Sequence, residues 1–169
     1  MKDRILVNQV PSARDYLAAL LEAMKENRTV TITYCAFGKT KSYTFCIEPY
    51  CVKLFENRWY VLAHNVQYDD IRIYGLDRIE DLKVEDRTFK LPKDFSASDF
   101  FSSYYGIVTN MNINPERIVI RAYKDHIPYI NSLPLHHSQK LLEDNGEYAD
   151  FELYLVPTYD FVMRLLHVG

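Results

Sequence analysis

Apolar positions along the chain fall first at the spacing of a helix and then at the spacing of strands. Leu17, Leu20, Leu21 and Met24 recur three and four residues apart, which predicts one apolar helical face beginning after Pro11-Ser12. Ser12 with Asp15 fits an N-terminal cap, and Asn27-Arg28 a stop. The period then shortens. Residues 29–34 (Thr-Val-Thr-Ile-Thr-Tyr) alternate and are β-branched, and residues 35–41 read as a turn. A second strand is expected over residues 42–54, where Pro49 demands an edge, bend or bulge. Further strands are expected over 59–64, 71–74 and 79–84. Five short strands after one helix predict a small SH3-like or Sm-like barrel, with consecutive strands pairing as antiparallel neighbours.

Periodicity fails between residues 86 and 114, where serine, asparagine and proline mark a connection. Phe95, Phe100, Phe101, Tyr104 and Tyr105 make it an ordered linker, because aromatics at that density pack down. A strand at 117–123 follows, then a helical turn opened by Asp125 and ended near Pro134, strands at 138–143 and 148–156, and a helix from Thr158 to Gly169. That β-α-β-β-α order predicts a small α/β sandwich with both helices on one sheet face. The fold class is therefore α+β. Its expected divisions are residues 1–90, a linker over 91–115, and a C-terminal extension over 116–169.

Composition narrows the chemistry. Five glycines are scattered through 169 residues, none within twenty positions of another. This excludes P-loops and dinucleotide folds, which need clustered glycines against phosphate. Fourteen tyrosines point the other way, toward a β-rich recognition surface. Cys35, Cys46 and Cys51 lack metal or redox spacing and are expected to be buried free thiols. No apolar run reaches the ~18 residues of a membrane span, and the N-terminus has no secretory apolar region, so the default location is cytoplasmic. The formal net charge is -3, yet residues 1–90 carry 14 Lys+Arg against 13 Asp+Glu while the remainder carries 6 against 10. An anionic partner is expected on the first part.

The stretch Arg58-Trp59-Tyr60-Val61-Leu62-Ala63-His64, followed by Arg72-Ile73-Tyr74-Gly75-Leu76-Asp77-Arg78-Ile79, resembles the WYL domain. That family takes its name from a Trp-Tyr-Leu triplet and has an arginine-rich segment ending in Asp-Arg-Ile. The resemblance reaches upstream through Ile32-Thr33-Tyr34 and Glu48-Pro49-Tyr50. Downstream, residues 116–169 resemble the WCX extension, at Pro134-Leu135-His136-His137-Ser138-Gln139 and Leu155-Val156-Pro157-Thr158-Tyr159-Asp160. The resemblance implies a bacterial transcription regulator in which a winged helix-turn-helix binds duplex DNA and an Sm-like barrel senses an effector, often nucleic acid or another anion. Two positions depart from the pattern: Val61 replaces the triplet's leucine, and Gly75 stands where a second arginine is common. Only a short segment precedes the first helix, and the chain stops where the family runs on into a last strand. It is therefore expected to be part of a longer regulator, lacking its helix-turn-helix.

Arg72 and Arg78 are the leading ligand-binding candidates, since guanidinium forks match phosphate or carboxylate. Asp69, Asp70, Asp77 and Glu80 could instead consume them as ion pairs. Tyr34, Tyr60, His64 and Tyr74 are expected to shape the surface. Tyr50 is a further stacking candidate, although each tyrosine could equally pack in the core. Trp59 shares parity with Val61 and Ala63 and is expected in the core. His136 and His137, adjacent on an extended segment, should face opposite ways and hold no metal. No catalytic residue, cofactor, metal or membrane partner is expected. The leading function is sensing of single-stranded nucleic acid or a nucleotide. A dimerisation module giving a homodimer is the alternative. A hydrolase, motivated only by the histidine pair and free thiols, is the weakest.

Overall fold

The computed structural model describes residues 14–168, in two units divided between Asp94 and Phe95. The expected capping residue Ser12 lies outside the described residues. The first unit opens with α1 (Arg14–Lys25), then β1 (Arg28–Tyr34), β2 (Tyr43–Phe55), β3 (Arg58–Asn65) and β4 (Asp70–Gly75). A 3₁₀ turn over Leu76–Arg78 leads into β5 (Ile79–Thr88). Helix α1 buries Leu20 and Ala23 and packs Tyr16 and Leu17 on the same core, while Leu21, expected inward, is 48% exposed. The buried face thus runs Tyr16, Leu20, Ala23, one step round from the leucine-counted face.

All five strands form one antiparallel sheet in the order β4-β3-β2-β1-β5. Consecutive strands pair from β1 to β4 as expected. β5 departs from that rule and returns to β1, leaving β4 and β5 as the sheet's edges and the expected barrel without a closing pair among these ladders. Pro49 lies on β2, an interior strand. The register slips between Pro49 and Cys51, a bulge that accommodates the missing amide. The core gathers Val30, Ile32, Ile47, Val61, Ala63, Leu76 and Ile79, with Trp59 packed against it.

The second unit consists of α2 (Ala97–Phe101), β6 (Glu116–Tyr123), α3 (His126–Ser132), β7 (Lys140–Asp144), β8 (Tyr148–Leu155) and α4 (Tyr159–Val168). Its sheet order is β6-β8-β7, all antiparallel. Ile118, Ile120 and Ala122 of β6 share a face with Ala149, Phe151, Leu153 and Leu155 of β8, and both helices pack there, through Ile127 and Ile130 of α3 and Phe161 and Leu165 of α4. The segment read as a linker carries α2, whose Ser96 hydroxyl accepts the Asp99 amide, a cap that residue spacing did not reveal. The segment is fastened within this unit. Asp160 accepts the amides of Ile107 (2.8 Å) and Val108 (3.0 Å), and Tyr105 packs on Phe161. No described helix is long and apolar enough to cross a membrane.

Candidate ligand site

On β4, Arg72 and Tyr74 stand opposite Ala63 and Val61 of β3, so both emerge on the core side of the sheet. Tyr74 is buried; Arg72 is half-exposed. The Arg72 guanidinium carbon sits 4.0 Å from the centre of the Tyr68 ring, with Nε 3.6 Å from Asp70. Asn65, fully buried, organises this turn. Its carbonyl accepts the amides of Gln67 (2.9 Å) and Tyr68 (3.0 Å), and its amide donates to the Tyr74 hydroxyl at 2.7 Å.

Arg78 lies at the end of the 3₁₀ turn and folds back over β4. Its guanidinium carbon is 4.4 Å from the Phe37 ring centre, 5.5 Å from Tyr34 and 6.0 Å from Tyr60. Gly75 makes the fold-back possible, because a Cβ there would stand 2.4 Å from Arg78 Nη2. Arg58 enters from β3, pairs with Asp77 and lies 5.7 Å from the Phe37 ring centre. Asp77 Oδ1 is also 3.8 Å from Arg78 Nε. One carboxylate therefore faces two guanidinia. Phe37 projects from a turn pinned at Cys35, whose amide donates to the Arg78 carbonyl, with Gly38 left-handed at φ 70°.

Aromatic contacts join the two arginine clusters. Tyr34 meets Tyr74 edge-on at 5.0 Å, Phe45 lies 6.1 Å from Tyr74 and 5.7 Å from Tyr68, and Tyr43 stacks on Phe45 beneath the Lys41 ammonium. Burial raises the phenol pKa of Tyr34, Tyr60 and Tyr74. Arg78 opposes this at Tyr34 and Tyr60, and the Asn65 bond opposes it at Tyr74. All three hydroxyls thus stay protonated at neutral pH and can donate.

Of the six expected residues, Tyr34, Tyr60 and Arg78 come together, Tyr74 bridges, and Arg72 holds the far end. His64 does not join them. It faces the other side of β3, its ring nitrogens 3.0 Å from Glu48 and from Asp69. Burial works against the imidazolium there, but hydrogen bonds to Asp69 and Glu48 outweigh it and raise the pKa. Tyr50 stacks on Phe89. Sequence reasoning missed five residues: Arg58, Phe37, Lys41, Tyr43 and Tyr68. Arg58 heads the signature stretch, and Phe37 is the lone aromatic of a polar turn, so each left a faint signal.

The remaining candidate chemistry falls away from this site. The His136 and His137 rings lie 4.2 Å apart and tilted, not on opposite faces, because the chain is still turning there and β7 begins only at Lys140. His137 donates to the Ser102 carbonyl. Among the described residues no His/Cys/Asp/Glu group could hold a metal ion. Cys35, Cys46 and Cys51 are free but half-buried instead of buried, and burial pushes the Cys51 thiol up to about 11.

Proteasome accessory factor B/C of Arthrobacter aurescens is similar in structure at 16% sequence identity and a TM-score of 0.46, over 88% of this chain and 22% of that one. The chain thus spans less than a quarter of that protein's length. No curated protein matches the sequence. The family model of the WYL domain matches residues 15–84. Every residue of the two arginine clusters lies within that span, and residues 15–84 are a WYL domain.

Proposed function

We propose that this chain is the effector-sensing part of a transcription regulator, a non-enzymatic role in which the WYL domain binds single-stranded nucleic acid or a nucleotide. The observation that carries this reading is the set of cations laid on aromatic rings: Arg72 on Tyr68, Lys41 on Tyr43, and Arg78 and Arg58 on Phe37. Stacking rings bind bases without regard to sequence, and interleaved cations bind the backbone. Tyr34, Tyr60 and Tyr74 support that surface from beneath. The strand order β4-β3-β2-β1-β5 supports an Sm-like scaffold, and the second unit is read as its WCX extension. Binding would bias the regulator between two arrangements, which requires different affinities for each.

Titration of a labelled single strand and of free nucleotides at several salt concentrations tests this. Binding should weaken with salt, and Arg72→Ala should reduce both affinity and salt slope. If neither ligand binds, the reading fails. A second reading, a dimerisation module, is favoured by Tyr129, Leu133, Tyr159 and Leu166, each at least 67% exposed in the second unit. Sedimentation across a concentration series separates the two: a dimer that dissociates on Leu166→Lys, with no nucleic-acid affinity, would favour the second.

A further inference from the structure

We propose that Phe37 and Arg58 are the ligand-contacting residues of the Arg78 cluster, and that Arg78 is a positioning residue, seated in the notch left by Gly75. This rests on the reading above and assigns that site's contact surface. Exposure separates the three. The Arg78 side chain is only 19% exposed, Arg58 is 41% exposed and Phe37 is 66% exposed. A ligand arriving from solvent meets Phe37 and Arg58 first.

What holds Arg78 also limits it. Its Nε is buried without a hydrogen-bond partner among the described residues. The guanidinium is therefore held by ring contacts to Phe37, Tyr34 and Tyr60, by the Asp77 carboxylate 3.8 Å from Nε and by the missing side chain at Gly75. Its charge polarises Phe37 without reaching far into solvent. Arg58 remains to meet an anion, paired on one side with Asp77 and 5.7 Å from the centre of the exposed Phe37 ring. The pair suits an unpaired nucleotide, its base on Phe37 and its phosphate on Arg58.

Anisotropy titrations with a labelled oligothymidine, an abasic strand of equal length and free thymidine monophosphate test the assignment. Phe37→Ala should weaken oligothymidine binding about 5- to 150-fold, the range of one lost base stack. It should leave the abasic strand unaffected, and Phe37→Trp should restore binding. Arg58→Ala should weaken both strands and reduce the salt slope by about 0.7, one single-strand phosphate contact. Gly75→Ala should act like Phe37→Ala, and combining it with Arg78→Ala should add no further loss. Monophosphate binding as tight as the strand's, scaled by site number, would identify a free nucleotide as the source of the same chemistry. If oligothymidine binds and Arg72→Ala abolishes it while Phe37→Ala and Arg58→Ala bind as wild type, this assignment is wrong and the parent reading stands. If the wild type binds none of the three probes, the parent reading itself is wrong.

Discussion

Arg78 in the first unit and Arg121 in the second both rest on tyrosine rings, yet they stand in opposite electrical states. Arg121 lies 3.8 Å from the Tyr148 ring centre, and its Nε and Nη2 each donate to an Asp150 oxygen at 2.7 Å. The β6–β8 register places the two directly opposite. Their hydrogen bonds hold the Asp150 carboxyl below its ordinary pKa and push Arg121 above its own. Arg117 is likewise paired with Glu152. In the first unit Arg58 and Arg78 share a single carboxylate, Asp77. A cation over a ring therefore does not mark a site by itself; the proposed site is set apart by incomplete neutralisation.

The sharpest way to break this contrast is to loosen the surface that carries it. Asn65→Ala removes three hydrogen bonds that hold the β3–β4 turn and Tyr74. At ~0.5–1.5 kcal/mol each, the first unit should lose roughly 1.5–4.5 kcal/mol. Urea unfolding followed by tyrosine fluorescence measures it. A loss well under about 1 kcal/mol would mean the turn supports itself and Asn65 does not set the Tyr68–Arg72 contact.

Binding measurements sharpen the contrast directly. Arg78→Ala should cost roughly ten- to a hundredfold in single-strand affinity, the scale of the base stack on the Phe37 ring that it positions. Arg121→Ala, whose charge Asp150 already consumes, should cost nothing. A smaller effect comes from the acids. Asp77→Asn should tighten binding several-fold at low salt and converge on wild type as screening grows, whereas Asp150→Asn should not. Equal responses from the two units would show that neutralisation is not what distinguishes them.

Much of this architecture is legible along the chain, because alternation and turn residues are local signals. Strand positions follow from them closely, and so does the placement of α3 and α4 on one face, since Ile118, Ile120 and Ala122 alternate with Arg117, Val119 and Arg121. The return of β5 to β1 is not legible, being a choice of partner made by the whole sheet. The same holds for Phe37, whose role depends on two arginines 21 and 41 positions away. Gly75 shows the limit most clearly. Along the chain it reads as a lost cation; in space it is the gap that Arg78 fills, while Arg58 brings a second guanidinium to Asp77.

The smallest expected difference between the units lies in their response to pH. Both His64 nitrogens face carboxylates, and only the imidazolium can donate to both. Its folded pKa is raised, so its contribution is fully present below about 6.5 and is lost as pH rises through the folded value. Asp150 has the opposite sign: its lowered pKa contributes above about 3.9 and is lost as pH falls. Raising pH through and beyond neutrality should therefore weaken the first unit and leave the Asp150 pair intact. Asp69 is exposed, so the His64 contribution should be on the order of 0.5 kcal/mol. NMR titration of the His64 ring, with unfolding of wild type and His64→Gln across the same range, measures both quantities. A titration midpoint at or below about 6.5, or an unchanged pH slope in His64→Gln, would remove this latch from the first unit.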